Sequence, residues 1–292
     1  GLQRRKTMTI GYSCIIPTRD RCELVQEAVT TVLAQERPAA EIIVVDDGSR
    51  DDTARLLAAR FPEVRLLRLD GRGPGTARNA GAAAASSEVL MFLDSDDHWQ
   101  PDHAGRLLAV LERGFAVAYG PTRNLDLIGG GEFAIPAAGE ELEGDCFAAL
   151  LRWCFMVPSA VALTRGAFAR CGGFGTGDLG EDWGFFLKLA VEYPFGFAAG
   201  PPLTTRRLHR DSLCRLADPA RLFAGLRRLQ ALFTTDESGG AQSDPTPEES
   251  ARNRQARERF AALARWTETR AGQERWATVQ EWYLALQREK MV

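Results

Sequence analysis

The sequence predicts an α/β fold, a mostly parallel sheet flanked by helices, followed by a C-terminal helical extension. Three observations carry this expectation. Short, continuously apolar runs alternate with helical patterns through the first hundred residues, and strands covered on both faces read in that uninterrupted way. Acidic residues follow several of those runs directly, at the carboxyl ends of strands where open α/β sheets bind ligands. From residue 219 onward the pattern is helical.

Taken in order, residues 12–16 form the first β-rich run, ended by Pro17. Asp20 is placed to cap a helix on which Val25, Ala28, Val29 and Val32 share one face. Residues 42–45 are a second strand, running into Asp46, Asp47 and Gly48. Asp51 or Asp52 caps the next helix, which carries Leu56, Leu57 and Phe61 and stops at Pro62. A third strand covers residues 64–69, and the glycine-rich 71–75 leads into a helix through Ala77, Arg78 and Asn79. Residues 89–93 are a fourth strand, again ending in acids.

Beyond Pro101 the pattern is mixed. A helix over 102–112 precedes a short strand at 115–119, a loop-rich stretch follows through 129–139, and helical signal returns at 146–154 and 183–192. By position, the loop 129–139 and the stretch 153–164 are expected to line a second substrate's site. After Pro219, the residues Leu222, Leu226, Leu229 and Phe233 make an apolar stripe. Residues 236–249 read as a flexible linker. A last helical stretch carries Phe260, Leu263, Trp276, Val279, Tyr283 and Leu286, with a break at Gly272. Packing onto the main body or onto a partner subunit is the plain reading of these helices, and lying on a membrane surface is the sharper one.

Composition excludes several classes. The 292 residues are 45% hydrophobic and 26% charged, enough for a large core and too ordered in character for a disordered chain. Net charge is −3, so the global basic field of a nucleic-acid binder is missing. Only Lys6, Lys188 and Lys290 are lysines among 36 basic residues, a skew that makes any single arginine uninformative. No apolar run approaches the roughly 18 residues of a membrane helix. Residues 1–9 read as an N-terminal tail, polar and unlike a signal peptide, with Met8 a natural start and 1–7 an added remnant. Six cysteines without a C-x-x-C pair suit buried reduced thiols. The expectation is a cytoplasmic protein, peripheral to a membrane at most.

The strongest chemical signal is Leu93-Asp94-Ser95-Asp96-Asp97. Three carboxylates at a strand's end concentrate charge that calls for a cation. Asp94 and Asp96 can reach the same side, and carboxylate oxygens with open water positions suit Mg²⁺ or Mn²⁺ bridging a diphosphate. In Val45-Asp46-Asp47-Gly48-Ser49 one carboxylate can accept a base N–H, while Asp47 or Ser49 serves turn chemistry. Gly73 and Gly75 permit close backbone approach, and Arg72 and Arg78 suit anionic oxygens. Glu181 and Asp182 open a helix, as a capping pair or with one as a general base. Arg206, Arg207, His209 and Arg210 gather cations and one imidazole. Neither a dinucleotide fingerprint after the first strand nor a phosphate-loop G-K-[ST] is present.

Ile15-Ile16-Pro17-Thr18, Val44-Val45-Asp46-Asp47-Gly48-Ser49, Ala77-Arg78-Asn79-Ala80-Gly81, Phe92-Leu93-Asp94-Ser95-Asp96-Asp97, Gly172-Gly173-Phe174, Glu181-Asp182-Trp183 and Arg207-Leu208-His209-Arg210 occur in that order and spacing. Together they resemble the family 2 glycosyltransferases of the GT-A fold, over residues 12–213. The resemblance implies a Rossmann-like catalytic domain over 10–217, with a nucleotide-binding half at 10–120 and an acceptor half at 121–217, and a helical extension at 218–292. It implies that Pro17, Thr18 and Asp20 flank the nucleotide, with Asp46 and Asp47 at the base and Asp46 reading the uracil N3–H. Arg78 would lie by the base or diphosphate, and Asp94 and Ser95 by the ribose or donor sugar. Asp96 would bind Mn²⁺ or Mg²⁺, with His209 at metal or diphosphate and Arg207 and Arg210 on the diphosphate. Asp182 matches the catalytic base, with Glu181 and Trp183 shaping the acceptor pocket. Arg19-Asp20 stands where the family commonly has an aromatic residue and Asn. The Q-x-x-R-W motif of processive polymerases is missing.

The expected activity is therefore inverting, metal-dependent transfer of one sugar from a nucleotide-diphosphate donor, UDP-linked in preference, to an acceptor hydroxyl. Self-association through the C-terminal helices is a further expectation. Two other readings stand beside it: a catalytically silent nucleotide-sugar binding or scaffold protein, and a HAD-like phosphatase. The phosphatase would want its Asp pair on the first strand, not the fourth.

Overall fold

A computed structural model of the chain describes residues 10–176, 180–209, 219–232 and 246–270. The expected tail at 1–9, Arg210, residues 236–245 of the expected linker and the chain beyond 270 lie outside the described residues.

The first half builds as alternating strands and helices: β1 (Tyr12–Thr18), α1 (Cys22–Leu33), β2 (Glu41–Asp46), α2 (Thr53–Arg60), β3 (Arg65–Arg68), α3 (Pro74–Ala84) and β4 (Val89–Phe92). Next come β5 (His98–Trp99), α4 (His103–Glu112), β6 (Val117–Tyr119), β7 (Thr122–Asp126), β8 (Glu132–Ile135) and α5 (Phe147–Arg152). A single 3-10 turn at Pro158–Ala160 leads into β9 (Val161–Thr164), α6 (Arg165–Arg170), α7 (Glu181–Glu192), β10 (Phe195–Phe197) and β11 (Thr204–Leu208). Two long helices follow, α8 (Pro219–Leu232) and α9 (Pro247–Arg270).

The main sheet has seven strands in the order β10-β6-β9-β4-β1-β2-β3. All its pairings are parallel except those of β9, which runs antiparallel between β4 and β6. Successive side chains of a strand point to opposite faces, and the core divides accordingly. Ile15, Ile43, Val45 and Phe92 face α3, α5 and α7, whereas Cys14, Ile16, Val44 and Met91 face α1 and α4. Gly81 lets α3 lie flush on the sheet, because a Cβ there would come 2.4 Å from Ile15 Cγ2. A smaller sheet, β5-β11-β7-β8, stands beside the first.

The mostly parallel α/β architecture matches the sequence expectation, with local differences. β1 continues through Pro17 to Thr18, where the sequence places the strand's end at Pro17. Its pairing with β4 reaches only to Ile15, so past that point one side of β1 requires no N–H from Pro17. Asp20 does not cap α1, which begins at Cys22; Asp20 adopts a left-handed φ of 49° and accepts from Arg50 N at 2.7 Å. The α2 amide cap comes from Asp51, whose Oδ1 accepts from Thr53 N at 3.0 Å. β8 lies inside the stretch expected to be loop, and β9 inside the stretch expected to line an acceptor site.

The helices α8 and α9 pack on each other and against α7. Leu226 and Leu229 of α8 and Phe260 and Leu263 of α9 are buried in the same core as Phe147 of α5 and Phe186 of α7. Arg252 fastens α9 to the body, donating to Ala190 O at 3.0 Å and pairing with Asp145 at 2.8 Å. The apolar stripe is thus satisfied within the chain where it is described. Among the described residues, no helix is long and apolar enough to cross a membrane.

Candidate active site

A cavity of about 400 Å³ opens where the ends of β1, β4 and β11 meet the first turns of α3 and α7. Of the residues singled out from sequence, Pro17, Thr18, Asp47, Arg78, Asp94, Ser95, Asp96, Glu181, Asp182 and Arg207 line it. Asp20, Asp46, Trp183 and His209 stand outside that lining. Arg206 of the cation cluster also lines it, and Arg19 and Arg21 belong to the lining without having been picked out as site residues from sequence.

Parallel strands deliver these groups to one end of the sheet, and tertiary contacts then fix them. Arg78 projects from α3 into the cavity wall and is 4% exposed. Its Nη2 donates to Asp94 Oδ1 at 2.6 Å and its Nη1 to Glu181 Oε1 at 3.0 Å, while its guanidinium carbon lies 5.1 Å from the centre of the Phe174 ring. Burial and the adjacent Asp182 push the Glu181 carboxyl up to about 7, against the pull of Arg78. Burial opposes the Arg78 charge, but Asp94 and Glu181 outweigh it and hold the guanidinium charged. One cation faces three acids here, and Glu181, the most buried of the pair that binds Arg78, carries the cost. Asp182 is partly exposed beside it, and its Oδ1 accepts from Trp183 N at 2.7 Å.

Asp96 follows β4 and is 9% exposed. Its Oδ2 meets Arg21 Nη1 at 2.7 Å and His209 Nε2 at 2.9 Å. Burial works against its charge, but the His209 hydrogen bond and the Arg21 guanidinium hold the carboxyl below the ordinary range. His209 is therefore brought to the site through Asp96. Asp97 turns inward instead: it accepts from Ser159 Oγ at 2.6 Å, and Ser159 Oγ in turn accepts from Asp94 N at 3.0 Å. Burial, then Asp96 and Asp94, push the Asp97 carboxyl well above the ordinary range. Arg207 is tethered by Asp96 O at 2.5 Å and Glu27 Oε2 at 2.6 Å.

The other acidic strand end is built differently. Asp47 spends both oxygens on the loop before α3, accepting from Arg72 N at 2.8 Å and Gly73 N at 2.7 Å. Asp46 is fully buried, accepts from Ser49 N at 2.8 Å and faces Arg68 Nε at 3.2 Å. The Trp183 indole points away from the cavity and donates to Leu150 O at 2.6 Å.

Asp96 and His209 offer one carboxylate and one imidazole at a cavity edge, a donor pair that suits Mn²⁺ and leaves positions for water or phosphate oxygens. Their 2.9 Å separation is close to what two neighbouring ligands of one ion adopt. Among the described residues, no three His, Cys, Asp or Glu side chains gather into a complete metal-holding group.

The comparisons with known proteins meet this geometry. Residues 13–133 match the Glycosyl transferase family 2 model. Over that segment the chain is similar to the glycosyltransferases of this family. That segment carries Arg21, Asp46, Asp47, Arg78 and the acids 94–97, while Glu181, Asp182 and His209 lie beyond it. An uncharacterized glycosyltransferase of Nostoc sp. is 35% identical over 164 residues, covering 52% of this chain and 50% of that protein. The succinoglycan biosynthesis protein ExoO of Rhizobium meliloti is 42% identical over 117 residues, covering 39% of this chain and 33% of that one. The chain thus spans half of the first of these relatives and a third of the second. The crystal structure of S. aureus TarS 1-349 in complex with UDP-GlcNAc superposes with a TM-score of 0.66 at 17% identity, over 86% of this chain and 71% of that one. At that identity the likeness establishes the shared glycosyltransferase fold.

Proposed function

We propose that this chain is an inverting glycosyltransferase that moves one sugar from a nucleotide-diphosphate donor, UDP-linked in preference, to an acceptor hydroxyl. The observation that carries the reading is one cavity holding Asp94 and Asp96 from the end of β4, Arg78 from α3 and Asp182 at the start of α7. Arg207 and Arg78 supply positive charge toward a diphosphate, though each is partly committed to protein carboxylates or carbonyls. Asp46 is the residue proposed to read the base N3–H, a role that requires the base to displace Arg68 from its buried Oδ2.

Glu181 is engaged by Arg78, which leaves Asp182 as the carboxylate for proton transfer. In the proposed step the acceptor oxygen attacks the anomeric carbon from the face opposite the diphosphate. A new C–O bond forms, the bond to the diphosphate oxygen breaks with its electron pair, and the hydroxyl proton passes to Asp182. Asp96 and His209 would hold Mn²⁺ or Mg²⁺, which when bound neutralises charge on the departing diphosphate.

The test is a thermal-shift panel of nucleotide sugars with and without Mn²⁺, followed by a transfer assay with the stabilising donor. A donor that raises Tm with Mn²⁺ and is consumed supports the reading. Stabilisation with neither transfer nor hydrolysis favours a silent binding protein, and phosphate release from phosphomonoesters without donor binding favours a phosphatase.

A further inference from the structure

We infer that Arg21 and a divalent cation are competing partners of one oxygen, Asp96 Oδ2, so that Arg21 sets how tightly the site takes metal. The inference rests on the proposed role of Asp96 as a metal-holding carboxylate. Arg21 Nη1 lies 2.7 Å from that oxygen and His209 Nε2 2.9 Å from it. An ion held by the same atom would sit within contact range of the guanidinium. Two like charges that close, beside a carboxylate only 13% exposed, repel strongly.

Arg21 differs from the other cavity arginines in how it is held. Arg78 is fixed by two carboxylates, and Arg207 by a carbonyl and Glu27. Among the described residues, the Arg21 guanidinium is paired with Asp96 alone. Its backbone is anchored, since Arg21 O accepts the first hydrogen bond of α1 from Val25 N at 3.0 Å. The side chain is 23% exposed and lines the cavity. A long flexible stem on a fixed base can therefore swing from Asp96 without unfolding anything, and it stays within the cavity when it does. An anionic diphosphate there offers the displaced guanidinium a new partner. Metal and nucleoside diphosphate then favour each other's binding, with Arg21 as the coupling element.

The test is Mn²⁺ binding to the protein, read by electron paramagnetic resonance of free Mn²⁺, with no sugar donor present. Arg21→Gln is expected to bind Mn²⁺ at least tenfold more tightly than wild type, and Arg21→Lys to stay near wild type because it keeps the charge. Adding UDP is expected to tighten Mn²⁺ binding more in wild type than in Arg21→Gln. Asp96→Asn is expected to lose the binding, which assigns the signal to this carboxylate. Equal or weaker Mn²⁺ binding by Arg21→Gln, at an unchanged melting temperature, overturns the inference and leaves the metal reading standing. Retention of binding in Asp96→Asn, or no Mn²⁺ binding by any form with or without UDP, overturns both.

Discussion

Arg78 holds Glu181 at 3.0 Å across 103 residues of sequence, tying the first turns of α3 and α7 together over the cavity. Its second amino group holds Asp94 at 2.6 Å. The pair therefore joins the acids following β4 to the carboxylates opening α7 through one buried guanidinium.

Removing that cation leaves buried carboxylates without a partner. Arg78→Met is expected to lower unfolding free energy by about 3–5 kcal/mol, measured by urea denaturation at pH 7. A loss below about 1 kcal/mol would mean that the acids are hydrated once the guanidinium is gone.

Glu181 carries a pH dependence of definite sign. Its folded carboxyl is raised to about 7 from an ordinary value near 4.5, first by burial and then by Asp182. A raised carboxyl favours the folded state fully below about pH 4.5, and that contribution is lost as pH rises through about 7. Glu181→Gln is expected to be less sensitive, so the stability of wild type relative to this variant should fall between pH 5 and 8. Parallel pH curves in denaturant titrations would contradict this.

At the start of α3, Gly75 lies against the loop before α7. A Cβ at this position would come 2.1 Å from Gly175 O, a backbone atom that cannot turn aside. Gly75→Ala is expected to cost at least 1–3 kcal/mol, of the order seen for overpacked cores, and to displace the approach to Glu181. Thermal melting with donor-dependent stabilisation in the same samples reads both effects.

The proposed base has its own signature. Asp182→Asn keeps shape and removes the proton acceptor, so transfer is expected to fall by about 10²–10⁴ while donor affinity is unchanged. Near-wild-type transfer would move the role to another group.

Much of the site was legible because its residues follow long apolar strands. The acids after Val45 and Phe92, Arg78 on a helix led in by glycines, and the Glu181-Asp182 pair all announce themselves by position. What each acid does was less legible. Asp94, Asp96 and Asp97 look alike in sequence, yet one pairs with Arg78, one with Arg21 and His209, and one turns inward to Ser159. Ser159 reaches them from 62–65 residues away, a contact that no local pattern encodes. Arg21 was hidden by the abundance of arginine. Among the strands, β1, β2 and β4 showed as buried apolar runs, whereas β5 has two residues and β8 is exposed along three of its four. Strands that short owe their form to their neighbours, not to their own pattern.

The antiparallel strand β9 makes the two halves inseparable. It lies between β4 and β6, and it comes from beyond residue 133, where the family match ends. Cutting the chain there would leave β4 and β6 facing a gap roughly 10 Å wide, two strand spacings across. The matched segment is therefore not an exchangeable module. A chimera that grafts this stretch onto a relative's remainder must bring a compatible β9 with it, and one that does so keeps the sheet whole.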